Sequence, residues 1–130
     1  MTRRISTGTP WEPVAGYSRA VAAGDLVFVA GCTSVVDGQV VHEGDPAAQT
    51  TQAIANVAAA LERLGASLTD VVRTRMFVTD ITRWQEYARA HGAAFGEIRP
   101  ASTMVQVAAL IDPRMLVEVE ADAYRAGAGW

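Results

Sequence analysis

Apolar residues in the middle of the chain recur at helical spacing and predict an amphipathic helix over about residues 46–64. Asp45 can cap its N-terminus, Pro46 suits the first helical position, and Gly65 stands where a C-terminal cap is expected. The repeat consists of five apolar positions, namely Ile54, Val57, Ala58, Leu61 and Leu64.

A second helix is predicted near residue 84, because Asp80 or Thr82 can cap its N-terminus. One stripe of this helix is apolar, which predicts that the stripe packs against the rest of the protein. The stripe consists of Trp84, Tyr87, Ala88, His91 and Phe95.

Alternating or continuous apolar runs elsewhere predict strands. Gly24-Asp25 and Asp37-Gly38 lie between apolar runs and indicate two tight turns. In the strand at 72–78, one face carries Val72, Thr74, Met76 and Val78, and the other carries Arg73, Arg75 and Phe77. The predicted strands cover residues 17–22, 26–31, 72–78, 103–109 and 115–124.

The order β-β-α-β-α-β-β predicts an α+β fold with a single mixed sheet and two helices on one face. The length predicts one domain over residues 1–130, with a loose tail at 126–130. Two helices leave the other sheet face uncovered, and the strands carry apolar residues on both faces. An uncovered apolar face favours self-association.

Composition excludes several kinds of chemistry. All 11 basic side chains are arginine, so lysine Schiff bases and lysine-anchored pyridoxal phosphate are excluded, and no cofactor is predicted. His42 and His91 lack zinc-site spacing, so no metal is predicted. The net charge of -3 and the absence of a basic run make nucleic acid an improbable partner. The one cysteine, Cys32, and the lack of a signal-peptide or membrane-span pattern predict a cytoplasmic protein without a membrane partner.

Residues 96–123, GEIRPASTMVQVAALIDPRMLVEVEADA, resemble the RidA (YjgF) family of small trimeric imine and enamine deaminases. Shorter matches cover about residues 10–125 in the same order. They are Gly16-Tyr17, Phe28-Val-Ala-Gly31, the Gln-Thr…Asn-Val helix at 49–57, and the strand with its following aspartate at 72–80.

The resemblance implies a barrel-forming homotrimer with a small-molecule site in each inter-subunit cleft. It implies that Glu118 positions the attacking water, that Tyr17 lines the pocket, and that Gly31 offers a backbone amide to the substrate. The family's Pro-Ala-Arg-Ser motif contains an arginine that holds the substrate carboxylate, and here Ser102 takes its place. Four more site positions depart from the family pattern, namely Ala30, Trp84, Ala88 and Met104.

A serine hydroxyl cannot supply the charge of a guanidinium. Loss of one charge-assisted hydrogen bond, worth roughly 1.5–3 kcal/mol, weakens carboxylate binding about 10- to 150-fold. We therefore expect a neutral, larger or more apolar substrate, unless Arg73, Arg75 or Arg99 reaches the cleft instead.

Three functions stay open at this point. The first is a RidA-like hydrolase or deaminase with altered specificity, in which Glu118 acts as acid and base. The second is a non-catalytic ligand-binding or regulatory trimer, and the third and weakest is a ribonuclease or translation inhibitor. A water-accessible Glu118 favours the first, whereas a Glu118 locked in an inter-subunit salt bridge favours the second.

Overall fold

The computed structural model describes residues 2–127 as an α+β fold. Its helices are α1 (Trp11–Ala15), α2 (Pro46–Arg63) and α3 (Trp84–Phe95). Its strands are β1 (Thr2–Ile5), β2 (Ala20–Ala23), β3 (Leu26–Cys32), β4 (Val35–Val36), β5 (Gln39–Val40), β6 (Val71–Val78), β7 (Ala101–Gln106) and β8 (Val117–Tyr124).

Six strands form one mixed sheet in the order β1-β2-β3-β8-β6-β7. β6 and β7 are parallel and the other neighbours are antiparallel. β4 and β5 form a separate hairpin around Asp37 and Gly38, whose φ angles of 49° and 78° suit the tight turn that the sequence predicts. The predicted fold class, a mixed sheet with two main helices on one face, is confirmed.

Helix α2 begins and ends where the capping residues in the sequence predict. The Asp45 carboxylate accepts a hydrogen bond from the Ala48 amide at 3.0 Å, Pro46 occupies the first turn, and Gly65 follows the helix with φ 75°. The Gln49 side chain of this helix is fully buried. It donates to the carbonyls of His42 and Arg114 and accepts from the Leu116 amide, so it ties two loops to α2.

The core lies between the sheet and the two long helices. Alternate residues of β8 point towards it and are fully buried, as are the residues of α2 that face them. Burial of this apolar surface is the main stabilising contribution to the fold. The central members are Val57, Leu61, Val117, Val119, Ala121, Ala123, Tyr87 and Phe95.

The opposite face of the sheet is open. Leu26 pairs with Tyr124 and Phe28 pairs with Asp122 across β3 and β8. Leu26, Phe28 and Tyr124 are 41%, 43% and 50% exposed. The predicted uncovered face therefore exists and carries apolar side chains.

Three of the predicted strands differ from the structure by two or more residues at one or both ends. The first hairpin strand covers Ala20–Ala23 instead of 17–22, because the Tyr17 amide bonds to the Glu12 carbonyl in the turn that ends α1. The strand predicted at 103–109 covers Ala101–Gln106, because its partner β6 ends at Val78. The strand predicted at 115–124 starts at Val117, because the Met115 amide bonds to Asp112 in a turn.

The prediction did not include β1 and α1, and one side-chain assignment was wrong. β1 buries only its last residue and α1 has five residues, so neither carries a clear period. Val72 does not share the buried face of Thr74, because the register of β6 against β8 shifts between Val71 and Arg73. Val72 is consequently exposed.

The second long helix follows a short 3₁₀ turn, Ile81–Arg83, capped by the Asp80 side chain. The last three residues of the predicted loose tail at 126–130 lie outside the described residues. Within residues 2–127, no helix has the length and apolarity needed to cross a membrane.

Candidate functional site

Glu118 lies on the open face of the sheet, where β8 passes β3. Its side chain rests directly against Gly31, and a Cβ atom at residue 31 would overlap Glu118 Oε1. Gly31 lies where the register of β3 against β8 shifts between Val29 and Cys32. Glycine is therefore required here for the close approach of the carboxyl group to the backbone.

The surroundings of Glu118 disfavour the ionised form of its carboxyl group. Burial raises the pKa of Glu118, the positive charge of Arg19 lowers it, and the negative charge of Glu120 raises it, with a net increase. A carboxyl group with a raised pKa can take up and release a proton closer to neutral pH. Such a group is suited to general acid–base catalysis.

Arg19 links the residues of this region through its guanidinium group. The sequence analysis did not identify it. It is only 7% exposed, and its Nη1 donates to the Gly31 carbonyl at 2.6 Å. Its Nη2 donates to the Tyr17 hydroxyl at 3.4 Å and lies 3.9 Å from Glu12 Oε2. Residues 17–31 contain two charged residues, Arg19 and the turn residue Asp25. A single charged side chain within an apolar strand indicates that this side chain is buried and paired.

Glu12 was also missed, and it organises the loop beside Tyr17. It is 2% exposed and accepts hydrogen bonds from the Ser6 hydroxyl and from the amides and hydroxyls of Thr7 and Thr9. Burial raises the pKa of Glu12, but the hydrogen bonds from Thr9, Ser6 and Thr7 outweigh it and lower the pKa to about 2. Glu12 is therefore an ionised partner for Arg19 at all but very acidic pH.

Tyr17 borders a shallow cleft of 480 Å³ on the open sheet face. Ala30, Glu120 and Asp122 also line this cleft, whereas Glu118 does not. Tyr17 is thus connected to Glu118 through Arg19 and Gly31, and not through the cleft.

Cys32 lies next to Arg19 and is 4% exposed. Burial raises the pKa of its thiol more strongly than the Arg19 charge lowers it. Cys32 therefore packs as a small apolar residue.

Ser102 belongs to a second group of side chains on the other face of the sheet. β7 pairs with β6 so that Ser102 lies beside Thr74 and Met104 lies beside Met76, both on the helix side. Thr74 Oγ1 donates to Ser102 Oγ at 2.8 Å and lies 2.8 Å from His91 Nε2 of α3. Within one chain, the sheet thus separates the Ser102 group from Glu118.

The predicted residues of α3 differ in burial. Trp84, Ala88 and His91 share one stripe of the helix through their i, i+4 and i+7 spacing. Ala88 is partly buried, but Trp84 is 52% exposed. The His91 ring bonds to Thr74, and its centroid lies 4.6 Å from that of Phe95.

The arginines considered as substitutes lie away from Ser102 or in exposed positions. Arg75 is on the open face and forms ion pairs with Glu120 at 3.2 Å and Asp122 at 3.3 Å. Arg73 shares that face, opposite to Ser102. Arg99 is exposed in the loop before β7 with φ 56°.

The contact between Gly31 and Glu118 leads to a prediction. Gly31→Ala should displace the Glu118 carboxyl group while retaining the fold, because the overlapping atoms belong to a flexible side chain. We expect loss of most activity that depends on Glu118, with thermal unfolding shifted by only a few degrees. Turnover and thermal unfolding of Gly31→Ala check this, with exposed Gly92→Ala as a control; full activity of Gly31→Ala would contradict it.

The chain resembles known proteins over nearly its full length. The family model Endoribonuclease L-PSP matches residues 7–125. Rv2704 from Mycobacterium tuberculosis, a member of the YjgF/YER057c/UK114 family, has 50% identity and a TM-score of 0.88, with 96% of this chain and 100% of that one covered. SCO2049 from Streptomyces coelicolor, an uncharacterized protein, is 41% identical over 95% of this chain and 92% of its own. The 3-aminoacrylate deaminase RutC of Acinetobacter baylyi is 35% identical over 92% of this chain and 94% of its own. The chain therefore belongs to the Endoribonuclease L-PSP family, the family of YjgF and RidA.

Proposed function

We propose that this protein is a RidA-like hydrolase that deaminates an imine, enamine or related small electrophile. The observation that carries the proposal is the half-buried Glu118 carboxyl group, held against Gly31 with a raised pKa and no ion-pair partner within 4 Å among the described residues. Similarity to the 3-aminoacrylate deaminase RutC supports this reaction class.

In the proposed reaction, the Glu118 carboxylate accepts a proton from water as the water oxygen bonds to the C=N carbon. The carboxyl group then returns that proton to the nitrogen, which gives a carbinolamine. Glu118 next moves the proton of the carbinolamine hydroxyl to the nitrogen, and the C–N bond breaks as the C=O bond forms. An imine and one water thus give a carbonyl compound and ammonia. An enamine first takes up a proton on carbon to become the imine.

The proposed site lies between subunits of a homotrimer. Two observations support this assembly: the open face exposes Leu26, Phe28 and Tyr124, and one chain keeps Glu118 and Ser102 on opposite sides of its sheet. Strand β7 of one subunit beside the Glu118 region of the next would bring the two groups together. Tyr17, Gly31 and Glu118 then come from one subunit, and Ala88, Ser102 and Met104 come from its neighbour.

The proposed substrate lacks the usual carboxylate contact. Ser102 is neutral, and Arg75 is already paired with two carboxylates on the other face of the sheet. Loss of the arginine weakens binding of a 2-imino acid about 10- to 150-fold. A neutral, larger or more apolar imine is the better substrate.

Hydrolysis of 2-iminopropanoate, generated in the assay by an amino-acid oxidase, tests this proposal. We expect the native protein to be slow and Ser102→Arg to gain about 10- to 150-fold in kcat/KM. Ala93→Arg, which adds the same charge at an exposed position on α3, should gain nothing. High activity of the native protein would show that another group holds the carboxylate, and no gain in Ser102→Arg would contradict the role given to residue 102.

A second candidate is a non-catalytic ligand-binding or regulatory trimer. The neutral Ser102 at the position of the signature arginine favours it, because the change removes a substrate contact without disturbing the fold. Ligand binding without turnover of any imine would favour this candidate over the hydrolase.

A ribonuclease or translation inhibitor is the weakest candidate. The net charge is -3, and Arg75 on the open face is neutralised by Glu120 and Asp122. Tight, salt-dependent RNA binding would be required to support it.

A further inference from the structure

A chain of three polar side chains runs from α3 to the edge strand β7. Thr74 Oγ1 stands in the middle, 2.8 Å from His91 Nε2 and 2.8 Å from Ser102 Oγ. Thr74 is fully buried, whereas Ser102 is exposed at the strand edge. The chain therefore connects a half-buried imidazole with a hydroxyl that a ligand can reach.

The direction of the two hydrogen bonds of Thr74 follows from the single proton of its hydroxyl group. A threonine hydroxyl has one proton to donate, and the Thr74 hydroxyl donates it to Ser102 Oγ. The contact between Thr74 and His91 must then be donated by the ring nitrogen. Neutral His91 consequently carries its proton on Nε2, with Nδ1 unprotonated.

The direction of the chain determines what Ser102 offers to a ligand. Ser102 Oγ already accepts a hydrogen bond from Thr74, so its own proton points to another acceptor. Hydrogen bonds in series polarise one another, which makes the last hydroxyl a better donor. The donor is neutral, because burial lowers the pKa of His91 and keeps the imidazole uncharged at neutral pH.

We infer that His91, Thr74 and Ser102 form an oriented hydrogen-bond chain whose Ser102 hydroxyl donates to a neutral carbonyl or amide oxygen of the ligand. The inference rests on the proposed function, since it takes residue 102 as part of the ligand site. Ser102 contacts the ligand, and Thr74 and His91 are positioning residues. A hydroxyl supplies a hydrogen bond but no positive charge, so the chain replaces the charged contact of the signature arginine with one neutral donor.

Pyruvamide serves as the probe, because it is small and neutral and carries both a carbonyl and an amide oxygen. It is titrated into the native protein and into Ser102→Ala, and the dissociation constants are taken from NMR shifts of the backbone amides of β7. We expect Ser102→Ala to bind pyruvamide about 3- to 10-fold more weakly than the native protein, the size of one neutral hydrogen bond. Equal affinity of the two proteins would overturn the inference.

Variants of Thr74 separate the hydrogen-bond chain from simple packing. Thr74→Val keeps the shape but removes the hydroxyl, so the affinity for pyruvamide should fall as it does in Ser102→Ala; Thr74→Ser keeps the hydroxyl and should retain the native affinity. Native affinity in Thr74→Val would overturn the positioning role. The ¹⁵N shifts of His91 in the native protein give an independent readout, because they must report a proton on Nε2, and a proton on Nδ1 would overturn the direction of the chain.

These measurements do not depend on turnover. If imine hydrolysis is absent but pyruvamide binding depends on Ser102 and Thr74, the proposed reaction fails and the hydrogen-bond chain stands. If hydrolysis is present and pyruvamide binding does not depend on these two residues, the reaction stands and the chain fails.

Discussion

Glu118→Gln should reduce imine turnover about 100- to 10,000-fold, the usual contribution of a positioned acid–base group. The amide has nearly the same shape as the carboxyl group but cannot accept a proton from water. The loss should therefore appear in kcat, with KM little changed. Steady-state kinetics on the best imine substrate measure both constants, and unchanged turnover would refute the mechanism.

The same substitution should increase stability at neutral pH. Burial raises the pKa of Glu118 in the folded state, so ionisation of this group costs more in the folded protein than in the unfolded chain. The native protein consequently loses stability as pH rises from the unfolded pKa through the folded one. Glu118→Gln avoids this loss, and below about pH 4 the two proteins should be equally stable.

Thermal unfolding between pH 3 and pH 8 measures this difference. Glu120→Gln is the matched control, because Glu120 lies two residues along β8 in an ion pair with Arg75 and should show no gain. A melting temperature of Glu118→Gln below that of the native protein at pH 7 would contradict the expectation. Gain of stability with loss of turnover would identify Glu118 as a residue kept for function at a cost to the fold.

Glu12→Gln should destabilise the protein by about 3 kcal/mol at neutral pH. The folded state lowers the pKa of Glu12 from 4.5 to about 2, and each pKa unit corresponds to about 1.4 kcal/mol. Glutamine offers one oxygen in place of two and turns an amide group towards the donors of Ser6, Thr7 and Thr9. The loop beside Tyr17 should loosen as a result.

The destabilisation caused by Glu12→Gln should become smaller as the pH falls. A lowered pKa stabilises the folded state above the unfolded pKa, and this stabilisation is lost as pH falls from about 4.5 to about 2. Urea unfolding at pH 7, 4 and 2.5 should therefore show a difference between native and Glu12→Gln protein that shrinks with acidity. Glu62→Gln, at an exposed position on α2, should show little effect at any pH, and a pH-independent loss in Glu12→Gln would contradict the role of the carboxylate.

Local signals were enough to predict the parts of the fold that depend on neighbouring residues. Asp45, Pro46 and Gly65 defined the ends of α2, and Asp37-Gly38 defined the β4–β5 turn, because caps and tight turns are set within a few residues. β1 and α1 were missed since neither has a period of its own. β1 pairs with β2, and the Glu12 carboxylate binds the loop that joins β1 to α1.

The candidate site was predictable only in part. The family resemblance pointed to Glu118 and Gly31, but their direct contact depends on the register shift in β3, which no local pattern encodes. The chain from His91 to Ser102 requires a parallel pairing of β6 with β7 and the docking of α3. Such contacts between distant segments follow from the packed structure and not from spacing along the sequence.

The pairing of Arg19 with Glu12 has a consequence for the charge around Glu118. Because Glu12 stays ionised down to about pH 2, its negative charge balances the guanidinium of Arg19 at neutral pH. The sum over these three residues then depends on a single proton: zero when Glu118 holds it and -1 when Glu118 has released it. Ionisation of Glu118 therefore leaves this group of residues with a net negative charge, which favours a nearby cation.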